Sequence, residues 1–147
     1  MRPEDPRTTL RGLLVSQRLA VLATQGDTQP YTSLVAFAAT EDLRLLVFAT
    51  ERATHKFTNV SVNPRVAMLV DDRAHREADL SEATAVTATG LAEEAQGDEK
   101  DRLMALLLGR HPSLKAFLAS SGCALVKVTV GAYQIVTRFQ EVRELCP

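Results

Sequence analysis

The chain has 147 residues, a formal net charge of -1 and 46% hydrophobic residues, which is the composition of a single ordinary globular domain. Its longest unbroken apolar runs, residues 34–39 and 103–108, are far shorter than the roughly 20 residues that a membrane-spanning helix requires, so no such span is expected. The near-neutral charge provides no broad basic surface, which argues against nucleic acid as a partner.

The few cysteines and histidines predict no structural metal site. Cys123 and Cys146 form no Cys-x-x-Cys pair, and the three histidines are scattered along the chain. Residues 1–10 contain no apolar segment of the secretory type. We therefore expect a cytoplasmic protein whose two thiols are reduced.

The first half of the chain predicts a helix, three strands and a second helix. Residues 1–7 are polar and predict a loose arm, after which Thr8 or Thr9 caps a helix that ends near Gln17. Strands are predicted at 19–24, 31–39 and 43–49, and the last two form a hairpin. A helix follows over 54–62 and ends at Asn63, because a residue that precedes proline is disfavoured in the helical conformation.

The second half predicts four strands interrupted by a pair of helices. Strands are expected at 66–70 and 83–91, separated by a charged loop at 71–82 that contains His75. Asp98 is the predicted cap of a helix that ends before Gly109, and Pro112 begins a second short helix. The last strands are predicted at 123–130 and 132–138, with a hinge at Gly131.

Seven short strands in one small domain indicate a mainly β fold with helices. We expect an antiparallel barrel of six or seven strands, with helices that close its openings and with residues 1–147 forming one domain. A doubly wound α/β fold is disfavoured, because strands and helices do not alternate regularly.

The segment that begins the second helix has the composition of a phosphate-binding corner. Thr50 ends a strand, Arg52 lies in the following turn, Thr54 fits the N-cap, and His55 and Lys56 lie in the first helical turn. Backbone N–H groups at a helix start, a hydroxyl and a cation together bind phosphate. An ordinary capped helix with solvated cations would show the same pattern, so the local sequence leaves both interpretations open.

Three short motifs follow one another between residues 29 and 70. Gln29-Pro30-Tyr31 begins a strand, Thr54-His55-Lys56 begins a helix after the hairpin, and Asn63-Pro64-Arg65-Val66 ends that helix and begins the next strand. This order resembles the pyridoxamine 5'-phosphate oxidase-like family of FMN-binding split barrels, in which a Pro-Tyr strand start, a hairpin, a Ser/Thr-Arg-Lys helix start and an Asn-Pro-Arg-Val strand start follow one another. The resemblance is weaker over 13–24 and 84–94.

The resemblance implies a homodimer with one FMN in each of two clefts at the subunit interface. It places Thr50, Thr54, His55 and Lys56 around the FMN phosphate. It also places the backbone of one strand beside the flavin ring. The residues of that strand are Thr32, Ser33, Leu34 and Val35.

The sequence departs from the family pattern at several positions, and these departures argue against the vitamin B6 reaction. Ser33 and Ala38 lie where pyridoxamine-phosphate oxidases have an arginine and a lysine, and the C-terminal Arg-x-His segment has no counterpart. The resemblance therefore implies flavin binding without the vitamin B6 reaction. No catalytic residue is assigned, and Tyr31 and Arg138 are candidates only as polar groups near the expected cleft.

Four functions remain open on the sequence. An FMN-dependent oxidoreductase of unknown substrate comes first, followed by a non-catalytic flavin carrier or electron-transfer protein. A haem-binding protein is the third, because residues 110–112, Phe117 and residues 136–139 resemble the haem-utilisation branch of the same fold. That branch uses a C-terminal histidine that is missing here, where the chain ends at Cys146 and Pro147. The fourth is an interaction module without a cofactor.

Overall fold

The fold is an antiparallel barrel with helices at its ends and on one side. The computed structural model describes residues 4–138 and 141–147. Their strands are β1 (Leu19–Gln25), β2 (Pro30–Ala39), β3 (Leu45–Glu51), β4 (Arg65–Asp71), β5 (Ala85–Glu94), β6 (Cys123–Thr137) and β7 (Glu141–Leu145). Their helices are α1 (Pro6–Ser16), α2 (His55–Val62), α3 (Asp79–Glu82), α4 (Gly97–Arg110) and α5 (Lys115–Leu118), with a 3₁₀ turn at Pro112–Leu114 before α5.

The strand order is β3-β2-β1-β4-β5-β6-β7, and an additional pairing between β3 and β6 closes six strands into the barrel. The predicted fold class, mainly β with peripheral helices, is therefore confirmed. None of the helices in the described residues is long and apolar enough to cross a bilayer.

Alternating side chains from the strands fill the barrel interior. Phe37, Phe48, Met68 and Tyr133 are all at most 1% exposed. The Tyr133 hydroxyl donates a 2.7 Å hydrogen bond to the carbonyl of Leu43, and burial raises the pKa of this phenol. The one polar atom of this tyrosine is thus satisfied inside the core.

The helices cover two different parts of the barrel. Leu10, Leu14 and Val60 of α1 and α2 belong to the same hydrophobic cluster as the barrel interior, as predicted for helices that close a barrel. By contrast, Leu103 and Leu107 of α4 pack against the outward-facing side chains of β2, β3 and β6. The expectation that the helices close the openings of the barrel is therefore wrong for α4. Alternation puts Ala38 and Val47 on the outer wall, and this second apolar surface needs its own cover.

Two of the three predicted helix starts outside α2 are displaced, while Pro112 begins its helical segment as predicted. Asp5 caps α1 by accepting a hydrogen bond from the Arg7 N–H (2.9 Å), and Pro6 supplies a favourable first residue, so the helix starts before Thr8. The predicted loose arm at 1–7 is therefore wrong from Pro6 onward, and its residues 1–3 lie outside the described residues. Gln96 precedes α4, which places Asp98 in the first turn rather than at the cap.

The two predicted C-terminal strands are one continuous strand, β6. The irregularity predicted at Gly131 is present as a bulge within this strand: Thr89 and Gly90 of β5 pair with Ala132 and Val130, so the register skips Gly131. A Cβ on Gly90 would lie 2.2 Å from the carbonyl oxygen of Thr129, so only glycine permits this approach. The seventh strand, β7, pairs with residues 133–137 and was not predicted. Phe139, the last residue of the segment 136–139 that resembles the haem-utilisation branch, lies outside the described residues.

Candidate functional site

A compact hydrogen-bond network forms where β3 ends and α2 begins. Thr54 is the N-cap as predicted, and its Oγ1 accepts a hydrogen bond from the Phe57 N–H (3.3 Å). The same hydroxyl lies 2.8 Å from the carbonyl oxygen of Glu51 and 2.8 Å from Thr50 Oγ1. These contacts use its single proton and both of its lone pairs. The Thr54 hydroxyl is therefore saturated by bonds that shape the corner itself.

Two backbone donors at this corner have no partner. Within the described residues, the N–H groups of His55 and Lys56 make no hydrogen bond to backbone or side chain, as is usual for the first turn of a helix. They lie at the positive end of the α2 dipole. An anion that binds here would be held by main-chain N–H groups and by the Lys56 ammonium, rather than by the Thr54 hydroxyl.

A cavity of about 300 Å³ opens beside these donors. Five of the eight predicted cofactor residues line it: Leu34, Val35, Thr50, Thr54 and Lys56. Leu114 and Phe117 add an apolar wall to the lining, and Glu51 also belongs to it. The sequence analysis missed this wall, because it comes from a helical segment whose packing on the barrel has no local sequence signal.

The other predicted cofactor residues lie outside this cavity. The imidazole of His55 stacks on the ring of Tyr31, with centroids 4.6 Å apart and planes 8° from parallel. Thr32 is exposed on the surface. The Ser33 hydroxyl is buried and has no hydrogen-bond partner among the described residues. An unsatisfied buried hydroxyl is unfavourable, so Ser33 retains an unused donor beside the strand predicted to contact a cofactor ring.

Arg52 does not contribute to the cavity, although its position in the sequence suggested an anion ligand. Its guanidinium donates to the carbonyl of Cys123 (3.0 Å) and pairs with Glu94 at 2.5 Å. These contacts tie the turn after β3 to β5 and β6. The positive charge at the corner therefore depends on Lys56.

The Arg110-His111 segment has a structural use. Arg110 donates to carbonyls at the C-terminal end of α1, including that of Leu14 at 2.6 Å, and its guanidinium lies 5.1 Å from the ring centre of Phe37. Burial is the main cause that lowers the pKa of Arg110. His111 is 7% exposed, and its Nε2 lies 2.8 Å from the Phe37 carbonyl oxygen, which requires an Nε2–H donor. The His111 imidazole therefore has a structural role.

Within the part of the chain that the structure describes, the thiols and acidic groups form neither a disulfide nor a metal site. Cys123 is buried, Cys146 is exposed, and neither forms a disulfide. Burial is the main cause that raises the pKa of the Cys123 thiol, which lowers its reactivity. Within residues 4–138 and 141–147, no group of three or more His, Cys, Asp or Glu side chains has the arrangement of a metal site.

Comparison with known proteins relates the chain to a family. The family model described as Pyridoxamine 5'-phosphate oxidase matches residues 7–136. No curated protein sequence matches the chain significantly.

Several solved structures share the fold. A heme binding protein from Mycobacterium smegmatis has 18% identity and a TM-score of 0.88, over 99% of this chain and 60% of that protein. HutZ, the heme storage protein from Vibrio cholerae, has 14% identity and a TM-score of 0.75, over 94% and 96% of the two chains. An FAD-binding protein from Mesorhizobium loti has 19% identity and a TM-score of 0.67, over 91% and 95%. At these identities the similarity shows the fold alone.

Proposed function

The chain belongs to the pyridoxamine 5'-phosphate oxidase family, and we propose that it binds FMN and acts as a flavin-dependent oxidoreductase. The observation that carries the proposal is the pair of unpartnered N–H groups at His55 and Lys56, next to a cavity that the Lys56 side chain lines. Amide donors at the positive end of a helix, with an adjacent ammonium, suit a phosphate monoester. The substrate and the reductant are unassigned.

Different residues around the corner would contact the phosphate and the ring of FMN. The phosphate would be held by the main-chain N–H groups of His55 and Lys56 and by the Lys56 ammonium. The backbone along 32–35 would lie beside the ring, where the free Ser33 hydroxyl is available to a polar ring atom. Thr50 and Thr54 would support the phosphate corner indirectly, through the network that fixes the start of α2.

The protein's contribution to the chemistry is orientation and exclusion of water. When bound, FMN supplies the electron chemistry. The apolar side chains of Leu34, Leu114 and Phe117 limit water around the cavity, which strengthens the electrostatic contact between Lys56 and an anion.

The proposed assembly is a homodimer, with FMN in clefts between the subunits. An exposed apolar face on β1, β4 and β5 supports it. Ala23 pairs with Ala67, Ala67 pairs with Thr89, and a hollow of about 540 Å³ lies over them with the 54% exposed Leu91 at its edge. A second copy would bury this surface. A strict monomer at micromolar concentration would argue against the assembly.

Haem binding is the second candidate function. It is favoured by the fold similarity to two proteins described as binding or storing heme. The chain spans 60% of the length of the first of them, so that protein's function is carried over only as a proposal. His111 is unsuited as an iron ligand because it is buried and bonded to Phe37, which leaves His55 and His75.

The visible absorption spectrum of the purified protein tests both candidates. After incubation with FMN and removal of the free flavin, the oxidised flavin bands are expected to remain with the protein. A Soret band after addition of hemin, without retention of flavin, would replace the proposal by the haem function. Steady turnover with a panel of electron donors then separates an oxidoreductase from a flavin carrier. The proposed compartment is the cytoplasm, where thiols such as Cys123 and Cys146 remain reduced.

A further inference from the structure

A second cavity of about 450 Å³ lies next to the strand segment 32–35, which is proposed to contact the flavin ring. It has no role in the phosphate corner described above. Leu34 lines both this cavity and the one beside Lys56, so the two meet at that side chain. The floor is apolar, because Val21 and Leu69 pair across β1 and β4, and Val21 also pairs with Leu34.

The rim of this cavity has an excess of positive charge. Arg18, Arg73 and His75 lie on it, against one carboxylate, Asp71. Arg73 is neutralised by that carboxylate, with Nε 2.7 Å from one oxygen and Nη2 3.2 Å from the other. Within the described residues, the guanidinium of Arg18 and the imidazole of His75 make no hydrogen bond or ion pair. The net charge that faces the cavity is therefore carried by Arg18 and by His75 when protonated.

The turn that carries His75 is held in place by Asp79. The Asp79 carboxylate accepts hydrogen bonds from the N–H groups of Ala74 (3.0 Å), His75 (2.7 Å) and Arg76 (3.2 Å). These bonds stabilise a left-handed backbone conformation at His75, where φ is 60°. The rim of the cavity is thus pre-organised, which lowers the entropic cost of binding a ligand there.

We propose that this cavity binds a small molecule with an apolar body and a carboxylate, sulfonate or phosphate group, with Arg18 as the specificity-determining cation. The apolar floor would take the body and the charged rim the anionic group. On the proposed function, this ligand is the substrate or electron acceptor, because Leu34 belongs both to this cavity and to the strand assigned to the flavin ring. The existence of the anion site itself does not require flavin.

A matched pair of fluorescent probes tests the site. 8-Anilinonaphthalene-1-sulfonate and N-phenyl-1-naphthylamine share the aromatic body and differ by one sulfonate. The wild-type protein is expected to bind the sulfonate probe more tightly, with a 1:1 stoichiometry, whether or not FMN has been added. Because Arg18 is exposed, we expect the Arg18→Gln variant to bind the sulfonate probe about fivefold more weakly and the neutral probe unchanged.

Two control variants restrict the interpretation to Arg18. Arg18→Lys keeps the charge and is expected to retain most of the preference for the sulfonate. Arg76→Gln removes a positive charge from the turn that carries His75, at a residue that does not line the cavity. This variant is expected to bind both probes as the wild type does. Equal affinity of the two probes for the wild type, or an equal loss in Arg76→Gln and Arg18→Gln, would overturn the proposal.

FMN affinity, measured in parallel, separates this proposal from the function proposed above. Arg18→Gln is expected to leave FMN affinity unchanged. Probe discrimination that depends on Arg18 in a protein that binds no FMN would support the anion site while contradicting the flavin function. Retention of FMN without probe discrimination would contradict the anion site alone.

Discussion

The corner at the start of α2 and the turn before α3 divide their hydrogen bonds in opposite ways. At α2 the Thr54 hydroxyl is saturated, while the backbone N–H groups of His55 and Lys56 are free. Before α3 the backbone N–H groups around His75 are saturated by Asp79, while within the described residues the side chains of Arg18 and His75 on the cavity rim make no hydrogen bond or ion pair. Both arrangements can hold an anion. The donors are main-chain groups in one case and side chains in the other, so substitutions should affect the two sites very differently.

The largest expected effect is on FMN affinity when Lys56 is removed. Among the residues that the structure describes, Lys56 is the one cation that lines the α2 cavity, because Arg52 is turned toward Glu94. Lys56→Ala should weaken FMN binding by about 1.5–3 kcal/mol, the usual contribution of a hydrogen bond to a charged group. Titration followed by quenching of flavin fluorescence measures this change.

Arg102→Ala is the charge-matched control for Lys56→Ala. Arg102 is exposed on α4 and lines none of the cavities described above. Its removal should not alter FMN affinity. A similar loss in both variants would indicate a general effect of protein charge and would contradict a local phosphate contact at α2.

A smaller effect, on stability, is expected for Thr54→Ala. The variant removes an N-cap, which should lower the free energy of unfolding by about 1 kcal/mol. The loss of FMN affinity should be smaller than for Lys56→Ala, because the hydroxyl is already used by Glu51, Phe57 and Thr50. Urea denaturation and FMN titration measure the two quantities, and Thr54→Ser should restore both. A loss of FMN affinity in Thr54→Ala that is larger than the loss in Lys56→Ala would mean that the hydroxyl binds phosphate directly.

A local effect without a large change in global stability is expected for Asp79→Asn. The hydrogen bond from the Ala74 N–H is the main cause that lowers the pKa of Asp79, followed by those from Arg76 and His75. Since the folded-state pKa is depressed, these bonds are at full strength above about pH 4 and are lost as the pH falls through the lowered pKa. The protection factor of the His75 amide against hydrogen exchange should fall in Asp79→Asn and, in the wild type, at the most acidic pH. Unchanged protection in the variant would contradict the anchoring role.

The smallest effect is expected at His55, even though the resemblance placed it at the phosphate. Its ring stacks on Tyr31 and does not line the cavity, and its contribution to an anion is through the backbone N–H. His55→Phe preserves the stack, so FMN affinity should change by less than about threefold, the scale of a weak exposed contact. A tenfold loss or more would place the imidazole, and not only the main chain, on the ligand.

The same contrast explains how much could be predicted from the sequence. The α2 corner is formed by consecutive residues, so its cap, its helix and its single lysine could be read directly. The partner of Arg52 could not, because Glu94 lies 42 residues further along and reaches it only through the strand pairing. The cavity at Arg18 combines β1, β2 and a turn after β4, and no local pattern brings them together.

Errors in the predicted elements have the same cause. Gly131 was predicted to be a hinge between two strands, while the structure has one strand with a bulge at Gly131, next to the point where Gly90 approaches Thr129. The helix predicted between Asp98 and Gly109 is present as α4, but the surface that it covers depends on which side of β2 and β3 faces outward. Local chemistry fixes the elements, and long-range pairing fixes which side chains share a cavity.

The comparison of FMN with riboflavin tests the central claim most directly, because the two molecules differ only by the phosphate. The account predicts that the wild-type protein binds FMN more tightly than riboflavin by about tenfold or more, and that Lys56→Ala removes most of this difference. Equal affinities for the two flavins, or a difference that persists unchanged in Lys56→Ala, would contradict a phosphate site at the start of α2.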